Sequence, residues 1–403
     1  MMRMTSILGE RRTTPLRPRY ESLDLWRGVA CLMVLLNHAT FTVPGSAIYE
    51  SLGATAQMWS QIAARLWCGV PIFFVISGYC IAATADSQRR RGRPAMEYFI
   101  RRFRRIFPPY WVVLIGTVVT FTAVDVLLWP RSMTGTGEFL RPWWYSASQW
   151  FGNVTLTELW RSHAFGTSKA MILGHAWTLC YEEQFYIVVG VLLLAAPHRF
   201  FGGLVLVTGG VLAARLLNYG GHSAEGFFWD GAWLLFFPGV VAYYVLNYRE
   251  RLRYPSVVIL FALAAWCART PSVLLAMSKN EAQELFVAAL FAATILLLRD
   301  RDQQLVGSAR LRPLLQCGLM CYSLYLVHLP IAILMRGSLS AAQAPGWLWN
   351  PALTVPVCSA ICIFVASVFH QRVERRFMNL PQVRAPKSNP QYVGPIATEA
   401  VRT

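Results

Sequence analysis

The sequence predicts an all-α polytopic membrane protein, with about ten transmembrane helices in one bundle and both termini cytoplasmic. Three observations carry that expectation. Hydrophobic residues make up 55% of the 403-residue chain and charged residues only 14%, with a mean hydropathy of +0.41; a soluble domain carries about twice that charged fraction. Ten apolar runs approach or exceed the length that a bilayer core demands, about 20 helical residues. The arginine-rich stretches fall in every second connection, as the bias of cytoplasmic loops toward Lys and Arg requires.

The runs follow in order. Residues 1–20 form a basic cytoplasmic arm with Arg3, Arg11, Arg12, Arg17 and Arg19. The transmembrane domain is expected over 21–378, with spans near 23–42, 62–84, 107–128, 174–196, 201–217, 229–247, 255–271, 283–299, 313–335 and 350–370. A flexible cytoplasmic tail is expected over 379–403. Pro71, Ser77 and Gly78 mark the second span as kinked or tightly packed. The longest polar connection is 129–173. Its Trp143, Trp144, Trp150 and Trp160 suit a membrane interface better than a sugar-stacking site. No secretory leader is expected from the polar N-terminus, so the first span itself directs insertion.

Charge and cysteine content narrow the function classes. The net charge of +17 is explained by the cytoplasmic loops, so nucleic acid is not an expected partner. The nine cysteines lie mostly in apolar runs and lack zinc-type spacing with histidine. They are read as small hydrophobes, with no disulfide framework and no metal site expected.

The first span is the informative one. In S-L-D-L-W-R-G-V-A-C-L-M-V-L-L-N-H-A-T-F (22–41), Arg27 stands near one end and Asn37-His38 near the other. Ionisable groups at membrane depth are costly and face a bundle interior or a wet cavity. Eleven helical residues turn through about 1,100°, so Arg27 and His38 share a face and stand about 16 Å apart along the axis. The expected topology puts His38 about 22 Å up the first span and His328 at a similar height in the ninth. Glu182 and Glu183 lie one to two turns below the start of the fourth. These three clusters are expected to converge in the outer half of the bundle. Arg102 and Arg105, just before Pro108-Pro109, mark the inner mouth, where they either bind phosphate or only set topology. The remaining histidines at 163, 175, 198, 222 and 370 are read as loop or interface residues, His175 being the least dismissible because it precedes a W-T-L motif.

Taken together, six stretches resemble the membrane acyltransferase 3 family. They are L-D-L-W-R-G-V-A-C-L-M-V-L-L-N-H with its Arg-ten-residues-His pattern at Arg27 and His38, G-V-P-I-F-F-V-I-S-G-Y (69–79), R-R-F-R-R-I-F-P-P-Y-W with Arg102 and Arg105, W-T-L-C-Y-E-E-Q-F-Y with Glu182, Y-S-L-Y-L-V-H ending at His328, and V-E-R-R-F (373–377). Thr178 and Arg376 depart from the usual Ser and Pro. The resemblance covers about residues 20–378 and implies a stand-alone acyltransferase in a bacterial inner (plasma) membrane. It implies acyl-CoA, by default acetyl-CoA, as cytoplasmic donor and a hydroxyl of an extracytoplasmic carbohydrate or glycolipid as acceptor. On that basis Arg27, Arg102 and Arg105 are expected to hold the donor's phosphates and His38 to act as general base. Glu182 is expected to orient His38, and His328 or Tyr322 to steady the oxyanion or bind acceptor, alongside Asn37 and Trp177. An acyl-enzyme on His38 stays open, and one on Cys180 is disfavoured because Glu182 and Glu183 oppose a thiolate. The alternative class is a proton-coupled transporter or flippase using the same ionisable groups; a third is a scaffold within a polysaccharide-synthesis complex.

Overall fold

The computed structural model describes residues 20–41, 46–130, 132–133, 139–217, 226–269 and 278–378. The arm before Tyr20, the tail from 379 and His222 lie outside them. Ten main helices run through the described residues: α1 (Leu23–Ala39), α2 (Gly69–Arg90), α3 (Ala95–Ala123), α4 (Trp177–Ala195), α5 (Phe200–Leu217), α6 (Trp233–Tyr248), α7 (Arg253–Arg269), α8 (Lys279–Leu298), α9 (Cys321–Ala341) and α10 (Pro351–Phe369). Eight helical runs are long and apolar enough to cross a membrane; α1 and α6, at 17 and 16 residues, are shorter. Large apolar side chains such as Leu206, Val258, Ile259 and Phe364 point outward and are exposed, as a lipid-facing surface requires. The protein is an all-α, multi-pass integral membrane protein.

Each expected span falls on a helix, with three displacements, one being that the third span's helix, α3, begins at Ala95, not 107. The ninth begins at Cys321, not 313, because the chain breaks at Met320 after a separate helix, Arg312–Leu319. The second extends back through a 3-10 turn (Arg65–Cys68) into a further helix, Ala54–Ala64. Glycine explains the closest crossings. A Cβ on Gly28 would stand 1.9 Å from the Leu314 carbonyl, and one on Gly318 would stand 1.6 Å from that of Asp24. The helix Arg312–Leu319 therefore lies backbone to backbone on α1. Gly78 and Gly239 do the same for α2 and α6, against the carbonyls of Phe236 and Val75. Small residues that let backbones touch are the usual device for holding helices together where lipid removes the hydrophobic drive.

Around these crossings the core is aromatic. Phe185 of α4 stacks on Phe236 of α6 at 4.2 Å between centroids, and Phe74 of α2 meets Phe236 at 4.7 Å. At the arginine-rich end of α2 the fully buried Asp86 accepts from Tyr243 at 2.9 Å, Tyr248 at 2.6 Å, Arg89 at 2.5 Å and Arg90 at 2.9 Å. A buried carboxylate is tolerable only when its lone pairs are met in this way. This hub fixes α2 against α6, so the position of α2 beside the cavity described next is set at both its crossing and its end.

Candidate active site

A cavity of about 820 Å³ lies between α1, α2, α3, α4, α6 and α9. Along α2 its lining runs from Val70 to Arg91, a rise of about 30 Å. Its polarity changes with height in three steps, each about seven residues of α2 or roughly 10 Å.

The lowest level is cationic. Arg91, Arg93 and Arg101 stand at the mouth, and Arg27, Arg102 and Arg105 line the wall above them. Arg102 donates to Thr84 Oγ1 at 2.8 Å and stacks over the rings of Tyr186 (5.0 Å) and Tyr98 (5.7 Å). Arg27 is paired with Asp24 and donates to Cys80 Sγ at 2.9 Å. Arg105 has no hydrogen bond or ion pair among the described residues, which leaves its planar fork of donors for a ligand. All three arginines expected to hold the donor line this one cavity.

Glu182 occupies the middle level. Ser77 donates to one of its oxygens, and Tyr186 to the other at 3.3 Å. It belongs to a polar strip on α4 rather than to a ring of groups around His38. Thr178, Glu182 and Tyr186, four residues apart, occupy one face of that helix, and all three line the cavity.

At the top the histidines meet. His328 Nε2 lies 3.2 Å from His38 Nδ1. The Nδ1 of His328 faces the carbonyls of Tyr325 (2.7 Å) and Leu324 (3.1 Å), and the Nδ1 of His38 faces that of Val34 (3.0 Å). Carbonyls only accept, so this network assigns the proton of each neutral ring to Nδ1. His328 Nε2 then accepts from His38 Nδ1–H, and Nε2 of His38 is the nitrogen without a proton. Val34, Thr178 and Tyr325 line the upper end of the cavity; they touch His38, each other and His328. The histidine pair therefore adjoins the cavity through Val34 and Tyr325 without itself lining it.

The three residues expected to bind acceptor are scattered. Tyr322 lines the cavity, but its hydroxyl donates to the Ile106 carbonyl at 2.8 Å. Asn37 donates to the Ala63 carbonyl at 2.9 Å, tying α1 to the helix Ala54–Ala64. Trp177 packs edge-on against Phe74 and Tyr181.

Two comparisons with known proteins bear on this geometry. The sequence profile of the acyltransferase 3 family, an acyltransferase domain, matches residues 20–370. The chain belongs to the acyltransferase 3 family. Among its relatives, peptidoglycan O-acetyltransferase OatA of Listeria monocytogenes is 27% identical over 184 residues, covering 44% of this chain and 25% of the relative. O-acetyltransferase OatA of Staphylococcus aureus is 30% identical over 138 residues, covering 33% and 21%. A putative peptidoglycan O-acetyltransferase, YrhL of Bacillus subtilis, is 27% identical over 172 residues, covering 40% and 26%. The matched part of this chain thus spans about a quarter of the length of these relatives. No solved structure matches.

One histidine read from the sequence as a loop or interface residue is buried against the histidine pair. His175, on the 3-10 turn before α4, packs its ring against His328 at 5.1 Å and Tyr325 at 4.9 Å. Only 6% of it is exposed. The Leu326 backbone approaches the ring as a hydrogen-bonding group, but neither ring nitrogen makes a hydrogen bond of good geometry among the described residues. Leaving a buried polar group unmet costs about 1–3 kcal/mol. Its position before W-T-L was visible in the sequence; that it closes onto His328 was not, because the two are 153 residues apart. Cys180 is buried, and like the other eight cysteines it is a free thiol. No group of three or more His, Cys, Asp or Glu among the described residues is arranged to hold a metal ion.

Proposed function

We propose that this protein is an integral-membrane O-acyltransferase of the bacterial inner membrane. It moves an acyl group, by default acetyl, from cytoplasmic acyl-CoA to a hydroxyl of an extracytoplasmic carbohydrate or glycolipid. The observation that supports this reading best is a cavity lined by three arginines and, elsewhere along its wall, by Val34 and Tyr325, which bond through their backbone carbonyls to the paired His38 and His328. A donor with phosphates on one terminus and a thioester at the end of a long flexible arm suits that arrangement. Its phosphates sit at the Thr84–Arg102 level and its thioester at the Val70–Tyr325 level, roughly 20 Å higher along α2. The names of the relatives make peptidoglycan fragments the first acceptor to test.

In this reading Arg105, Arg102 and Arg27 bind the donor phosphates by charge-assisted hydrogen bonds. His38 Nε2 takes the proton of the acceptor hydroxyl as that oxygen attacks the thioester carbon. An imidazole suits the task because its ordinary pKa lies near working pH. His328 accepts from His38 Nδ1–H, which holds the ring in the tautomer that leaves Nε2 basic and shares the charge when His38 is protonated. Glu182 is a positioning residue here: it fixes Ser77 and Tyr186, and Tyr186 in turn carries Arg102.

The test uses purified protein in nanodiscs with radiolabelled acetyl-CoA and a panel of glycans that includes peptidoglycan fragments. CoA release and label transfer are followed for wild type, His38→Ala and Arg102→Ala. Wild-type transfer is expected, falling about 100- to 10,000-fold in His38→Ala, the usual range for loss of a general base. Absence of turnover with acetyl-CoA and with longer acyl-CoA donors would refute the proposal. Proton-coupled uptake of a glycan without acyl consumption would favour a transporter instead.

A further inference from the structure

An oxyanion needs a hydrogen-bond donor that is not already spent. The two sequence-level candidates fail on that ground. His328 donates its Nδ1 proton to the Tyr325 and Leu324 carbonyls and turns Nε2 toward His38. Tyr322 donates its hydroxyl to Ile106. Tyr325, the other phenol at this level, donates to the His175 carbonyl at 2.7 Å. One ring remains with its polar atoms uncommitted, and it is His175.

Its setting is built, not incidental. The His175 carbonyl is held by Tyr325, and Thr178 Oγ1 reaches it at 3.4 Å. Thr178 and Tyr325 also bond to each other at 2.8 Å, and both line the upper end of the cavity. The backbone of the turn is therefore pinned by the two side chains that border the cavity, while the ring lies against His328. An imidazole placed only to pack would be expected to find a partner for at least one nitrogen, since buried polar groups almost always do. This one is held by its backbone, lacks a partner of good geometry and packs on His328, the ring that bonds to the base.

We propose that His175 is a catalytic residue whose ring N–H donates to the acyl carbonyl oxygen as that oxygen becomes an oxyanion. The inference rests on the acyltransfer reading above and deepens it. As the acceptor oxygen bonds to the carbonyl carbon, its proton passes to His38 and the carbonyl π pair moves to oxygen, where His175 meets it. Collapse restores the C=O bond and breaks the C–S bond. The leaving CoA thiolate then recovers the proton from His38.

The experiment compares wild type, His38→Ala, His175→Phe and His175→Gln in nanodiscs, reading kcat, KM for acetyl-CoA and thermal midpoint. Phenylalanine keeps the aromatic packing and has no polar atom to satisfy. His175→Phe is expected to lower kcat about 100- to 1,000-fold, the range for loss of one oxyanion donor, with KM for the donor unchanged. Its thermal midpoint should be no lower than wild type, because an unmet polar group has been removed. His175→Gln, which restores an N–H, should recover part of kcat. A His175→Phe enzyme with wild-type kcat overturns the inference, as does a lowered midpoint with no recovery in His175→Gln, which marks a structural role. An active wild type with inactive His38→Ala and normal His175→Phe sinks this inference alone; an inactive wild type sinks the acyltransfer reading with it.

Discussion

Arg105 offers the sharpest test of how the donor is held, because it makes no hydrogen bond or ion pair among the described residues to confuse the result. Replacing it with alanine removes a guanidinium that lines the cavity. The folded state loses no hydrogen bond, so the thermal midpoint should move little. The complex loses a hydrogen bond to a charged group, worth about 1.5–3 kcal/mol. At 1.36 kcal/mol per decade this is a rise in donor KM of about 10- to 150-fold. Because the phosphates are bound equally in ground and transition states, kcat should hold. Steady-state kinetics with acetyl-CoA reads both constants. The control is S-acetylpantetheine, which has the thioester and the arm but no phosphate. Arg105→Ala and wild type should use it equally poorly. A KM effect of the same size with the phosphate-free donor would refute phosphate binding by Arg105. A normal KM with acetyl-CoA would refute the placement of the donor in this cavity.

Other perturbations test the scaffold and its link to the site. Gly318→Ala forces a Cβ onto the Asp24 carbonyl; overpacking of this kind costs about 1–3 kcal/mol or more. Its thermal midpoint and activity should fall together, because α1 carries Arg27 and His38, whereas Gly209→Ala, with nothing within 4 Å, should be silent in both. Asp86→Asn removes the charge that gathers two tyrosines and two arginines, with an expected loss of roughly 1–3 kcal/mol in thermal or denaturant unfolding. Arg102→Lys keeps the charge but loses the stacking on Tyr186 and Tyr98 and the planar fork. Donor KM should rise several-fold for Arg102→Lys, by less than for Arg102→Ala; equal values would show that packing, not charge, is what Arg102 supplies.

How far the sequence carries depends on whether a feature is local. The spans were legible because hydropathy and loop charge act along the chain, and each of the ten runs falls on a helix. The start of α9 was not, since residues 313–320 are as apolar as a span but end at Met320. What decides that break is the Gly28–Gly318 crossing, a contact between segments 290 residues apart. The same distinction governs the site. Arg27 and His38 share a face by helical arithmetic, and the cluster Arg102–Arg105 is a single helical turn. That Glu182 would bond to Ser77 and Tyr186 rather than stand level with His38 depends on how α4 slides past α2 and α9. Hydropathy does not constrain such a slide to within one turn. His175 was passed over for the same reason: its partners are on α9.

The stripes themselves, however, could have been read as a set. Among the residues that line the cavity, Val70, Phe73, Ser77, Cys80, Thr84 and Ser87 of α2 and Thr178, Glu182 and Tyr186 of α4 recur at three- and four-residue spacing, so each helix carries a polar stripe within its wider lining face. If those two faces oppose each other, polar groups must pair by height: Ser77 with Glu182, and Thr84 with a donor near Tyr186, which Arg102 of α3 provides. The first span fits the same ruler. Arg27 reaches Cys80, ten residues or about 15 Å below Val70, and His38 stands about 16 Å above Arg27. α1 and α2 together therefore put the arginines about 15 to 20 Å below the histidines along the bundle. A fixed separation of that size selects a donor by length as well as by charge. Shortening the arm between phosphate and thioester should thus abolish transfer while leaving phosphate-dependent binding intact. Competition by the shortened donor, without turnover, is the expected result; turnover of a donor too short to bridge the levels would show that the two ends of the cavity do not act on one molecule.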